Sequence, residues 1–182
     1  MASRGGPRAA GSDGSDFTHR EQVATRYQTS THLKSKLKVC AYVNMAACLP
    51  QAVFVLNAHL GVVNFPFKIG PGLCHYLILV SCAASVLYLA SLPRNRKPLV
   101  RLASLGTLVC GLGGAVYGYY FYFPYVRRII LEGEFKRMVQ PPVLFAVTWY
   151  CVFTFKVVLY VQTLHYARQL MATWDTKKDK VM

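Results

Sequence analysis

An all-α polytopic membrane protein, with four transmembrane helices in one bundle, is the fold class this sequence predicts. Three observations predict it. Four apolar stretches, Val39–Leu60, Leu73–Leu92, Leu102–Phe123 and Val143–His165, run for 20 to 23 residues each. At about 1.5 Å rise per residue, each is long enough to cross a hydrocarbon core of about 30 Å. Hydrophobic residues make up 54% of the 182-residue chain and charged ones 15%, whereas a soluble domain carries about 25% charged residues. The 21 Lys and Arg, against 7 Asp and Glu, flank the apolar runs. That is the arrangement of membrane proteins and argues against nucleic acid as a partner. The length leaves room for one bundle and no second domain.

The cytosolic N-terminal segment is residues 1–38. Its first 15 residues are rich in Gly, Ala, Ser and Arg and are expected to be disordered, since they have no apolar area to bury. No apolar signal core appears before Lys38, so the first span is expected to serve also as the targeting signal. Lys34, Lys36 and Lys38 form a basic collar ahead of transmembrane 1, residues 39–60. Within that span Pro50 removes one backbone hydrogen bond and bends the helix. Asn44, Gln51 and Asn57 are expected to face other helices rather than lipid. A short turn with Pro66, Lys68 and Pro71 leads to transmembrane 2, residues 73–92. Its Ser81 and Ser85, four apart, suit close helix packing. The turn that follows carries Arg94, Arg96, Lys97 and Arg101, a topology determinant that also suits anionic lipid headgroups.

Transmembrane 3, residues 102–123, is the span the others are expected to pack against. Gly106, Cys110, Gly114 and Gly118 fall four apart, which lines small residues along one stripe. Small residues at that spacing let membrane helices approach backbone to backbone, although glycine is also simply common in membrane spans. The span ends in a run of aromatics from Tyr117 to Phe123 suited to the headgroup level. Residues 124–142 are expected to form a lumenal loop in which Val126, Ile129, Ile130, Phe135, Met138 and Val139 recur at roughly helical spacing, as in an interfacial helix. Transmembrane 4 is residues 143–165, and residues 166–182 read as a polar cytosolic tail.

Fifteen of the 21 cations fall in the N-terminal segment, the second turn and the tail; five fall in the first turn and the long loop. By the positive-inside rule both termini are cytosolic. The remaining cation, Lys156, lies thirteen residues into the last span. A charge there costs about 2.5–3.5 kcal/mol on the insertion scale. The twelve Leu, Ile, Phe and Val of that span return about 0.3–0.6 kcal/mol each, so it still inserts. No Asp or Glu occurs in any span. Lys156 is therefore expected to face Asn44, Gln51 or the tyrosines, or to snorkel.

Other constellations are sparse. His59 and His75 end and begin adjacent spans and are expected near the same membrane face. A haem or metal pair there is weighed against ordinary interfacial histidines, and no cofactor or metal is expected. The six cysteines have no CxxC pair and read as buried free thiols, with Cys40 a palmitoylation candidate at the edge of the first span. No nucleophile elbow, carboxylate pair, phosphate loop or HExxH is present, so no catalytic residues are assigned. At the C-terminus, Lys178 and Lys180 stand fifth and third from the end. Two cations beside a free carboxylate at that offset resemble the dilysine retrieval signal read by cytosolic coatomer.

The opening run Met1-Ala-Ser-Arg-Gly-Gly-Pro-Arg-Ala-Ala-Gly, then Asp13 through Phe17, His19-Arg20-Glu21 and Arg26-Tyr27-Gln28, resembles the start of the Jagunal family. Pro93-Arg94-Asn95 and the run from Val161-Gln162 through Gln169-Leu170 to Trp174 resemble its turn and C-terminal end. The resemblance implies a four-span endoplasmic reticulum protein, not an enzyme. It further implies reticulum organisation and vesicle-mediated transport and, in vertebrates, support of neutrophil development and function through glycosylation or targeting of secretory cargo. Partners expected on this reading are coatomer, through the C-terminal tail, and secretory cargo or other membrane proteins. Two other classes compete. One is a small four-helix membrane enzyme acting on lipophilic substrates; the other is a channel or carrier using Lys156.

Overall fold

The computed structural model describes residues 15–61, 70–132 and 141–175. They are helical almost throughout: α1 (Ser15–Leu60), α2 (Leu73–Ser91), α3 (Lys97–Gly106), a π-helical segment (Thr107–Leu112), α4 (Gly113–Glu132) and α5 (Pro141–Asp175). The chain from Lys97 to Glu132 is continuous, so α3, the π segment and α4 act as one long element. Four stretches are long and apolar enough to cross a membrane: Tyr27–Leu60, Leu73–Ser91, Lys97–Arg127 and Val143–Trp174.

The periodicity of burial explains the helices and their arrangement. On α1 the buried positions are Leu33, Leu37, Cys40, Ala41, Asn44, Cys48, Gln51, Phe54 and Val55. On α5 they are Val143, Ala146, Trp149, Phe153, Lys156, Leu159, Tyr160, Thr163, Ala167, Leu170 and Trp174. Steps of three and four keep each set on one face of a helix. α1 packs on α2 and α5, and the long third element also packs on α2 and α5. The helices therefore form a ring in which α2 and α5 face each other across the centre.

Two local devices turn the chain. Gly61, at φ 65°, follows α1 and donates its N–H to the Asn57 carbonyl at 2.8 Å, the left-handed stop that glycine adopts without steric cost. After α2, Asn95 takes φ 50° and the Arg96 N–H reaches back to the Ser91 carbonyl at 3.1 Å. Asparagine is among the few residues that tolerate that conformation. Pro50 sits inside α1 without ending it. Pro124 likewise sits inside α4, so residues 124–132, expected as the start of a loop, continue the helix. Phe135, Met138, Val139 and Lys68 lie outside the described residues.

The tail differs from expectation in the same way. Residues 166–175 are not a polar tail but the last turns of α5. Ala167, Leu170 and Trp174 continue its buried stripe and join Leu33 and Leu37 of α1, with Tyr88 and Leu92 of α2, in one apolar cluster. The Lys34 ammonium lies 6.0 Å from the Trp174 ring centroid and Lys36 5.5 Å from that of Tyr166, so the basic collar caps this cluster with cation–π contacts. Leu170 is fully buried here. Leu170→Ala is expected to cost about 2–5 kcal/mol, read as a lower midpoint of thermal unfolding in detergent. An unchanged midpoint would mean that this end does not melt with the bundle.

Candidate functional site

A second apolar cluster fills the opposite end of the bundle, around Phe54, Ile78, Ala115, Tyr122, Trp149 and Phe153. Between the two clusters lies a buried polar layer. Asn44 comes from α1, Ser81 and Ser85 from α2, Lys156 and Tyr160 from α5, and all are buried. Apolar surfaces tolerate small slips of one helix along another, whereas hydrogen bonds have direction and length. The layer thus sets the register of α1, α2 and α5.

Lys156 is its centre. Its ammonium donates to Asn44 Oδ1 at 3.1 Å and to the Asn44 carbonyl at 3.4 Å, and lies 2.9 Å from Cys48 Sγ. All three donors of the group are thereby used. Its Nζ also lies 5.7 Å from the Tyr160 ring centroid. Asn44 passes the connection on, its Nδ2 donating to Ser85 Oγ at 2.7 Å. One side chain of α1 thus joins α5 to α2. Tyr160 and Ser81 meet across the centre at 2.7 Å, and the serine hydroxyl also reaches the Ile78 carbonyl at 2.6 Å. Gln51, one turn beyond Cys48, is fully buried, and neither of its amide atoms has a protein partner.

The two histidines do not share a partner. The ring of His75 is fully buried, with Nε2 2.8 Å from the Tyr122 hydroxyl and Trp149 and Phe54 at centroid distances of 4.4 and 5.0 Å. His59 instead pairs with the Tyr76 hydroxyl at 3.0 Å. Among the described residues no group of three or more His, Cys, Asp or Glu is placed to hold a metal. The aromatic run at the end of the third span divides. Tyr122 is buried in this box, whereas Tyr120 is exposed.

The small-residue stripe is placed against two neighbours rather than one. A Cβ at Gly106 would stand 3.3 Å from Ala84 Cβ, and one at Gly114 3.0 Å from Leu77 Cβ, both on α2. A Cβ at Gly118 would stand 2.5 Å from the Phe153 ring of α5. Cys110 is only half-buried. Its neighbour Gly111 faces α5 instead, where an added Cβ would stand 3.0 Å from the Tyr160 ring. The π-helical turn is the physical reason. Bonds from i to i+5 widen the turn and shift the helix face that follows, and four-residue spacing alone does not reveal such a turn.

Sequence reasoning singled out Lys156 and named Asn44 as a possible partner. Of the expected tyrosines Tyr160 faces Lys156, Gln51 makes no hydrogen bond to it, and Cys48 and the link through Ser85 are not foreseen. The usable signal was that Asn44, Cys48 and Gln51 share one face of α1, while Lys156 and Tyr160 share one face of α5. Lys178 and Lys180 lie outside the described residues.

A family profile described as "Jagunal, ER re-organisation during oogenesis" matches residues 1–178. Similar proteins include protein jagunal homolog 1 of Mus musculus, 34% identical over 180 residues, covering 97% of this chain and 96% of that protein. The Homo sapiens homolog 1 is 33% identical over the same shares. The Danio rerio homolog 1-B is 31% identical over 177 residues, again 97% of this chain and 96% of that one. With the profile spanning nearly all of its length and relatives above 30% identity end to end, this chain belongs to the Jagunal family.

Proposed function

We propose that this protein is a non-enzymatic, four-span protein of the endoplasmic reticulum membrane, with both termini cytosolic. It organises the reticulum and supports vesicle-mediated transport early in the secretory pathway. The observation that carries this reading is membership of a family described by re-organisation of the endoplasmic reticulum. Orientation rests on the distribution of cations, fifteen on the terminal side against five on the other. In a vertebrate, its role extends to neutrophil function through glycosylation or targeting of secretory cargo.

We further propose that Lys178 and Lys180 are a retrieval signal bound by coatomer. The long α5 supports this reading. It carries ten residues past His165, about 15 Å at 1.5 Å per residue, so the tail starts from a packed helical stalk. Two cations and a terminal carboxylate at a fixed offset dock in an acidic pocket that also clamps the carboxylate. Changing both lysines to serine is expected to move the protein toward the Golgi and cell surface and to abolish coatomer binding by a tail peptide. Residues added after Met182 are expected to do the same, because the offset is counted from the free end. Continued residence with coat binding intact would refute the signal. Protease added to sealed microsomes is expected to remove tags from both termini, and protection of either one would overturn the orientation. Affinity purification in mild detergent then asks whether coat subunits and cargo co-purify.

A further inference from the structure

The contact between Cys48 and Lys156 is more than a packing detail. Sulfur and nitrogen lie 2.9 Å apart, on α1 and α5, and both side chains are buried. No span holds an Asp or Glu. Among the described residues the Cys48 thiol is the acidic group within hydrogen-bond reach of Lys156, so it can balance its charge. Thiolate with ammonium, and thiol with amine, hold the same protons and are both neutral overall. In the thiol–amine arrangement a nucleophilic nitrogen stands against the sulfur; in the thiolate–ammonium arrangement the nitrogen becomes nucleophilic once hydroxide released from peroxide takes its extra proton.

A second observation points to a small polar guest at the same place. Gln51 follows Cys48 by one turn on the same face of α1, is fully buried, and has neither amide atom partnered. Buried amides without partners are costly and are commonly satisfied by an internal water. Hydrogen peroxide, little larger than water and both donor and acceptor, suits the same groups.

We propose that Cys48 and Lys156 form a redox-sensitive pair that peroxide converts into a covalent sulfur–nitrogen bridge between α1 and α5. In the first step the Cys48 sulfur attacks one peroxide oxygen. The O–O bond breaks, and the departing hydroxide takes the thiol proton and leaves as water, so Cys48 becomes a sulfenic acid. In the second step the neutral Lys156 amine attacks that sulfur. An S–N bond forms, the S–O bond breaks, and the hydroxyl leaves with an amine proton as a second water. One thiol, one amine and one peroxide give one sulfenamide and two waters. Sulfur is oxidised by two electrons and peroxide is reduced by two. Two equivalents of a reducing thiol reverse it, restoring thiol and amine and yielding a disulfide. Cys82 of α2, in side-chain contact with Cys48, is the competing nucleophile. The 2.9 Å contact favours the amine.

The test uses the full chain purified in mild detergent, treated with hydrogen peroxide, digested without reductant and read by mass spectrometry. The expected product joins the Cys48 and Lys156 peptides. It is lighter than their sum by two hydrogen atoms and is separated by dithiothreitol. The joined product is expected to be lost in Cys48→Ser and Lys156→Met and retained in Cys82→Ser. Protein unfolded in dodecyl sulfate before oxidation is expected to lose it, because the contact is then gone. The wild-type measurement stands even if a variant fails to fold. A Cys48–Cys82 disulfide as the main product, a free Cys48 thiol after treatment, a bridge retaining oxygen, or equal yield from unfolded protein would each overturn the proposal.

Discussion

Asn44→Leu is expected to destabilise the bundle by about 1–3 kcal/mol, the cost of leaving buried polar groups without their hydrogen-bond partner. Asn44 Oδ1 accepts from Lys156 at 3.1 Å while Nδ2 donates to Ser85 at 2.7 Å. Leucine nearly matches its size but offers neither group. Lys156 keeps the backbone carbonyl of residue 44 and Cys48, and it loses its shorter oxygen contact. Ser85 loses its donor as well. Lys156→Leu is expected to be milder, because it removes a costly buried cation while the amide keeps its bond to Ser85. Thermal unfolding in one detergent, with expression matched, reads the difference. Equal losses for the two substitutions would mean that the cation is not held by the amide.

Gly118→Leu is the second large effect, expected to cost upwards of about 1–3 kcal/mol through overpacking. A bare Cβ would already stand 2.5 and 2.7 Å from Phe153 ring atoms. Phe153 is fully buried, stacked on Trp149 and tilted against His75 and Tyr122, with ring centroids 5.9–6.0 Å apart. The ring therefore has no solvent-side rotamer to retreat into, and α4 must move away from α5. Gly113→Leu is the control, since a Cβ there meets nothing within 4 Å. If the two variants melt together, the α4–α5 contact is looser than these distances imply.

Four helices were legible in the sequence because twenty apolar residues between basic turns admit few other structures. Lys156 was legible because a cation among twelve strongly apolar residues is conspicuous. The helices' real lengths were not. Leu33, Leu37, Ala167, Leu170 and Trp174 are too sparse to read as apolar runs, yet their three- and four-residue spacing continues the stripes of α1 and α5. Periodicity carried information there that an apolar average discards. Pro124 reads as a loop start, since proline usually breaks a helix in water. Inside a membrane bundle, neighbouring helices let the chain run through it. The π-helical turn between Gly106 and Gly113 left no residue-level mark, and with it went the choice of Gly111 over Cys110.

The claim that a polar layer centred on Lys156 holds α1 to α5 is tested most directly by a double-mutant cycle. Unfolding free energies are measured for the parent, Asn44→Leu, Lys156→Leu and the double variant in the same detergent. If the amide and the ammonium stabilise each other, the double variant is expected to be more stable than Asn44→Leu alone, with a coupling of about 1–3 kcal/mol. Losses that simply add, leaving the double variant the least stable of the four, would contradict it.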